Sequence, residues 1–440
     1  MWTELTRRDL LQRGLGAAAA LAVPRDQGRP QAPHFAPRAR RLLFVFLGGG
    51  LSHLESFDPK PRLRQDHGKP WRDQFLLGPR YEFQRYGQCG LEVSELFPHL
   101  GRCADELCVV RSMTADHGNH YEATLSMHTG STSFARPSLG AWLSWALGSD
   151  NRNLPGFVVI APKLPYAGAL TWGSDFLPAC HQGVRIIPGA TPLVDLTPRQ
   201  APELQALELE RLRALDQAHA AARGNDAQLV GRVDALETAI GMQAAAPAVF
   251  DLRHESDATL RRYGLPRGRS DGYAWQCLVA RRLLERGVRV VELMDVGASN
   301  NWDAHGDMQS HEPLARAIDQ PLCGLLRDLR SRGLLEDTLV VFATEFGRAP
   351  FGKKDEKGRG HHARAFTCWL AGAGVRAGTV VGASDDLGLE VAQDRVGIHD
   401  FHATVLHLMG LDHQRLTFRH GGRDYRLTDT GGVVARKILA

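Results

Sequence analysis

Glu292, Asp303, His305, Glu345 and His361 are carboxylates and imidazoles that fall at or near the ends of apolar runs in the second half of the chain. Such groups, gathered at one edge of a parallel sheet, are what a hydrolase needs to hold a divalent metal. The run 288–296 (VRVVELMDV) is continuously apolar and β-branched, so it reads as a buried strand, broken afterwards by Gly297, Ser299 and two asparagines. The motif WDAHGD follows at 302–307. A second strand over 338–344 ends directly on Glu345, and a third over 365–372 is preceded by His361 and His362. In open α/β sheets, ligands bind outside the carboxyl ends of the strands, where Asp303, His305 and Glu345 fall; His361 enters from the loop before its strand. Singly, each residue has an ordinary reading. An Asp-x-His in a loop is commonly a turn, Glu345 could cap a helix or pair with Arg348, and one of two adjacent histidines usually faces water. Their joint placement is what points to a metal.

The elements around them follow a βα rhythm. A first strand over 41–47 runs into Gly48, Gly49 and Gly50, a turn whose amides could approach an anion, although the pattern is no dinucleotide fingerprint. A strand near 107–113 leads to the turn DHGNH at 116–120 and a helix starting near Asn119 or His120. That turn offers His117 and His120 as two more ligands. Ser138 caps a helix over 139–148, and further helices are expected over 271–287, 312–333 and 400–411, the last capped by Asp400. Residues 202–242 are the most helical part, with Leu204, Leu207, Leu212 and Leu215 on one face and a break at Gly224, which predicts a helical hairpin inserted into the sheet fold.

The N-terminus resembles a twin-arginine export signal over 1–23. Arg7 and Arg8 form the pair, an Ala/Leu stretch follows, and small residues end at Ala22. The apolar part is far shorter than the about 20 residues that span a membrane. The expectation is a periplasmic or secreted protein with no membrane span in its mature form, the twin-arginine translocase as its export partner, and a Pro/Arg-rich tether over 24–40 before a single domain over 41–440. A net charge of +4 on 440 residues, part of it in signal and tether, gives nucleic-acid binding little support. The seven cysteines contain no CxxC pair; the odd count allows a disulfide or two and leaves at least one thiol free, with Cys277, Cys323 and Cys368 reading as small core residues.

The order strand-Gly-Gly-Gly, helix ending Thr-Gly, Asp-x-His, strand-Thr-Glu and Gly-Arg-x-His resembles the alkaline phosphatase and sulfatase superfamily. More closely, residues 48–61, 128–130, 302–307, 343–350, 358–362, 369–386 and 423–429 are similar to the secreted bacterial family known as domain of unknown function 1501. The resemblance implies an α/β class, an alkaline-phosphatase-like three-layer α/β/α sandwich with a mostly parallel central sheet. It implies metal ligands at Asp303, His305, Glu345 and His361, with Phe346 where relatives carry a second histidine. The superfamily's nucleophile position falls on His120, counting back from Gly130. The first metal-binding Asp falls among the glycines, with Glu55 and Asp58 the nearest carboxylates. The expectation is an exported metal-dependent hydrolase of a phosphate or sulfate ester, its substrate an anionic small molecule or glycan ester. The cofactor is a divalent metal, one or two ions, zinc first, with manganese or calcium as alternatives. Two mechanisms stay open. In one, a single metal on Asp303, His305 and His361, with Glu345 as ligand or base, activates water. In the other, His120 or Thr124 is a nucleophile while Gly49, Gly50, Ser52, Asn119 and the helix amides cradle the anion. The alternative function is a non-catalytic envelope protein that binds an anionic glycan or a protein partner.

Overall fold

The computed structural model describes residues 32–197, 200–224 and 226–440, so the expected export signal and the first part of the expected tether lie outside the described residues. The end of the tether is docked. Arg38 and Ala39 N–H both donate to Leu408 O at 2.9 Å, and Ala39 is fully buried.

The core is a nine-stranded sheet. Its strands are β1 (Arg41–Phe46), β2 (Leu107–Thr114), β3 (Phe157–Ile160), β4 (Val184–Ile186), β5 (Val290–Met294), β6 (Thr338–Ala343), β7 (Phe366–Gly372), β8 (Thr379–Val381) and β9 (Val396–Gly397). They lie in the order β8-β2-β7-β6-β1-β5-β3-β4, with β9 added beside β2. All these pairings are parallel except those of β7, which runs antiparallel to both β6 and β2. The sheet is therefore mostly parallel, as the sequence implied, with one reversed strand the sequence did not reveal.

The apolar runs are continuous because both faces of the sheet are covered. On β1, Leu43 and Val45 face one hydrophobic core, while Leu42, Phe44 and Phe46 face the other, the period-2 alternation of a strand. The first core receives α5 (Gly272–Glu285) and α6 (His311–Ser331); the second receives α2 (Leu139–Leu147) and α7 (Ile398–Leu408). That is the α/β/α sandwich. Ser138 caps α2 by accepting from Ala141 N–H, as its sequence predicts. Helix α7 begins earlier than expected, at Ile398, and Asp400 sits inside its first turn, accepting from Gly397 N–H at 2.9 Å.

The hairpin insertion is longer than 202–242. It comprises α3 (Pro202–Ala222) and α4 (Ala227–Phe250). On α3 the less exposed residues are Gln205, Leu209, Asp216 and Ala220, whereas Leu204, Leu207, Leu212 and Leu215 are each at least half exposed. The leucine face read from the sequence is thus the outer one.

Neither Glu55 nor Asp58 stands in for a missing metal-binding aspartate. Glu55 is fully buried, receives Arg359 Nε at 3.0 Å and Nη2 at 2.8 Å, and accepts from Arg80 N–H. Asp58 pairs with Lys60 and accepts from Ser384 Oγ. Removing one partner of a buried pair strands the other charge, at a cost of about 3 to 5 kcal/mol. Glu55→Ala should therefore lower the denaturant midpoint by that equivalent without changing the slope of the transition.

Candidate metal centre

Strands β1, β5, β6 and β2 all point the same way, so the loops leaving their carboxyl ends meet at one edge. Gly48 to Gly50 leave β1, residues 295–307 leave β5, Thr344 and Glu345 leave β6, and the turn after β2 opens α1 (His120–Thr129). The reversal of β7 brings His361, which precedes its strand, to the same edge. There His361 and His362 pair with Arg348 and Gly347 in a short antiparallel ladder.

Among the described residues, one set of three or more His, Cys, Asp and Glu side chains brings ligand atoms together: those of His120, Asp303 and His361 lie within 4.8 Å of one another. His120 Nε2 is 3.3 Å from Asp303 Oδ2, and His361 Nε2 is 3.3 Å from Asp303 Oδ1. His305 Nε2 lies 3.0 Å from Asp303 Oδ1 and 2.9 Å from His361 Nε2, on a ring more than half exposed. The opposite nitrogen of each inner ring is held. His120 Nδ1 is 2.6 Å from Glu345 Oε1, and His361 Nδ1 is 2.8 Å from the Gly118 carbonyl. Both partners are acceptors, so each Nδ1 carries a proton, and a ring holding no second proton turns a bare Nε2 toward Asp303. His120 Nε2 is buried without a hydrogen-bond partner.

Glu345 lies beside the cluster, bound to donors from three elements. Its carboxylate is fully buried and accepts from Gly49 N–H at 2.8 Å, from His120 and from Thr344 Oγ1 at 3.0 Å. It orients a ring, and Arg348 does not pair with it. The Arg348 guanidinium, itself fully buried, donates to Asp303 Oδ1 at 2.7 Å, to the carbonyls of Gly49 and Gly50, and to that of Arg359. Burial works against the Asp303 charge, but His120, His361 and Arg348 hold its carboxyl well below the usual range. Burial likewise opposes a charge on His120, yet Asp303 and Glu345 raise its pKa. Partial burial and the Arg348 charge outweigh Asp303 at His305, and its pKa falls.

Several expected residues lie elsewhere. His117 is half exposed, accepts from Asn119 N–H and faces Glu122 at 3.7 Å, outside the cluster. Glu292 is bound to His128 Nε2 at 2.7 Å between the sheet and α1. Thr124 is fully buried, its hydroxyl without a partner and out of a substrate's reach. The anion cradle is not assembled. Gly49 spends its N–H on Glu345, Gly50 gives its carbonyl to Arg348, Ser52 N–H donates to His311 Nε2, and the Asn119 side chain caps α1 through Tyr121 N–H. The glycines serve close packing instead. A Cβ on Gly49, at φ +112°, would come within 2.6 Å of Trp302 N and 2.7 Å of Asp303 N.

Two aromatic residues that the sequence reading did not use for orientation frame the cluster. Tyr166 lies flat on His120, rings 4.3 Å apart, and its hydroxyl accepts from Asn301. Phe346 packs 4.7 Å from both His120 and His361. The signal for Tyr166 was the apolar run 157–161 followed by Pro162 and Pro165, a strand with its loop at the same carboxyl edge.

The loop bearing Asp303 is pinned from beneath. Trp302 is fully buried and donates its indole N–H to Asp295, whose pKa burial pushes up to about 7. Because the folded pKa lies above the unfolded value of about 3.9, the native state binds this proton more tightly. Its contribution is whole below about pH 4 and is lost as pH rises through 7, at about 1.4 kcal/mol per unit of displacement. Asp295→Asn should remove that slope, read as the difference between mutant and wild-type unfolding free energy across pH 4–8. For the ring above, Glu345→Gln should lower the His120 pKa measured by NMR titration while the fold persists.

The family described as "Protein of unknown function (DUF1501)" matches residues 39–439. No curated protein matches the chain. Its fold is similar to that of lipoteichoic acid synthase LtaP from Listeria monocytogenes, at 10% identity over 94% of this chain and 81% of that one, TM-score 0.40. It is also similar to the PsFucS1 sulfatase from Pseudoalteromonas sp., at 13% identity over 88% and 74%, TM-score 0.36. A third likeness is to alkaline phosphatase from the Antarctic bacterium TAB5, at 10% over 86% and 99%, TM-score 0.34. At these identities the likeness is one of fold alone.

Proposed function

The chain belongs to the DUF1501 family, and on that premise we propose from its own residues that it is an exported, metal-dependent hydrolase of phosphate or sulfate esters. The observation that carries the reading is the convergence of two bare imidazole nitrogens on one carboxylate. With both rings neutral, His120 Nε2, His361 Nε2 and Asp303 are all acceptors, and acceptors this close need a cation or a proton among them. The donor set suits a divalent ion such as zinc, and the orphaned His120 Nε2 fits that role. His120, Asp303 and His361 would hold it, with His305 as the exposed fourth group.

A divalent cation there supplies Lewis-acid polarisation of a phosphoryl or sulfuryl oxygen and lowers the pKa of water. The chain does the rest. Glu345 fixes the His120 ring and its tautomer, the role outer carboxylates play for ligating histidines. Arg348 occupies Asp303 Oδ1 with a fixed positive charge, which leaves Oδ2 as the free ligand atom and favours one metal over two. His305, its pKa lowered by partial burial and by Arg348, closes the exposed side of the cluster with Nε2 turned to Asp303 and His361. Enclosure of Thr124 and the hold of Glu345 on His120 Nδ1 favour water over a protein nucleophile. Export rests on Arg7 and Arg8: replacing both by lysine should leave the protein in the cytoplasm.

Elemental analysis of protein from metal-replete cells should show near-stoichiometric divalent metal, abolished in the Asp303→Ala/His361→Ala double variant. Glu345→Gln should bind it about 10- to 100-fold more weakly. Turnover of aryl phosphate or aryl sulfate esters that follows metal content supports hydrolysis. Full metal with no turnover of either ester class supports instead a non-catalytic binder of anionic glycans or a protein partner, and a metal-free wild type that takes up none on addition would sink both metal-based readings.

A further inference from the structure

Away from the metal centre, Cys103 and Cys323 meet inside the first core, 2% and 4% exposed. Their sulfurs lie 3.3 Å apart, closer than the about 3.5 to 4.0 Å preferred by non-bonded carbon atoms. A thiol donates and accepts weakly, so an S–H···S contact does little to explain such an approach. The backbones around them are held in register. Asp319, one turn ahead of Cys323 on α6, accepts from the N–H groups of His99 and Leu100, both at 2.8 Å. His99 stands one turn ahead of Cys103. The pair of hydrogen bonds ties the 98–103 segment to the helix, so the two thiols face one another by construction.

We propose that Cys103 and Cys323 are a disulfide site, closed by a thiol–disulfide exchange oxidant in the compartment where the protein works. A thiolate of the pair attacks the oxidant's disulfide to give a mixed disulfide. The second thiolate then displaces the oxidant's sulfur and forms the internal S–S bond. Two electrons and two protons pass to the oxidant, whose disulfide becomes a dithiol. Reaching the bonded separation of about 2.05 Å takes a shift of little more than an ångström. The two cysteines are 220 positions apart in sequence, and the closed loop contains β2, α1 with His120, the helical hairpin, and the β5 loop with Asp303 and His305. A bond there limits the unfolded chain over the segment that carries three of the four clustered groups. Cys323 is then more than the small core residue its apolar surroundings indicated.

The test uses the full chain, equilibrated with excess oxidised glutathione in mild urea, acid-quenched, denatured and alkylated before peptide mapping. The expected result is one linked peptide pair, Cys103 with Cys323, lighter by two hydrogens, with Cys89, Cys108, Cys277 and Cys368 carrying the label. The urea midpoint should rise on oxidation and fall back with dithiothreitol, and this redox dependence should vanish in Cys103→Ala and in Cys323→Ala. Full alkylation of both cysteines after oxidation, a link from either to another cysteine, or a redox-dependent midpoint that survives both single variants would overturn the proposal.

Discussion

The buried carboxylate of Glu345 is the constraint on which the candidate metal centre turns. It sits where β6 ends, fully enclosed, and no arginine or lysine neutralises it directly. An ionised carboxylate in that position must be met by donors, and three are supplied from three separate parts of the chain: the amide of the glycine turn after β1, the first imidazole of α1, and the neighbouring threonine hydroxyl. Each donor is thereby fixed. The same hydrogen bond that satisfies Glu345 selects the His120 tautomer, and the tautomer decides which nitrogen faces Asp303.

Convergence of the remaining groups follows from strand direction. Parallel strands deliver their following loops to one edge, which accounts for Asp303, Glu345 and the turn before α1. A parallel β7 would carry its preceding loop to the opposite edge, some strand length away. Its reversal places His361 with the others, and the ladder between residues 347–348 and 361–362 sets its height. Arg348, across that ladder, reaches Asp303 and the glycine carbonyls, so one buried guanidinium links three of the loops.

This division explains what was legible beforehand. The apolar runs with chemistry at their ends were visible at β1, β5, β6 and β7 because both sheet faces are buried and no alternation dilutes the signal. Asp303, His305, Glu345 and His361 could be singled out from spacing to those runs. The roles were not legible, since the sequence does not show which nitrogen a carboxylate will engage. Glu345 reads as a ligand from its spacing, and in the structure its carboxylate accepts from Gly49, His120 and Thr344. His117 and His120 differ by three positions, yet only the second falls inside α1, whose start at the Asn119 cap turns one ring inward and leaves the other in solvent. The reversed β7 escaped notice because an apolar strand carries no mark of its direction. The glycine turn looked like an anion cradle because amides and close packing ask for the same residue; the clash a Cβ at Gly49 would meet shows that packing is what it serves here.

The charge balance at the cluster gives the arrangement its sense. Asp303 and Glu345 bring two negative charges and Arg348 one positive, so before any histidine takes up a proton one negative charge stays uncompensated in a half-buried space. A proton is the smallest cation that can meet it, and the raised His120 pKa is that compensation at work. A proton on His120 Nε2 and a metal ion at the same atom are mutually exclusive, because a ligating imidazole must be bare. On the proposed reading, uptake of a divalent ion and loss of the His120 proton would be one linked event. The ring that Glu345 holds in place would then be the point of exchange between the two, with metal affinity expected to rise with pH as the competing proton leaves.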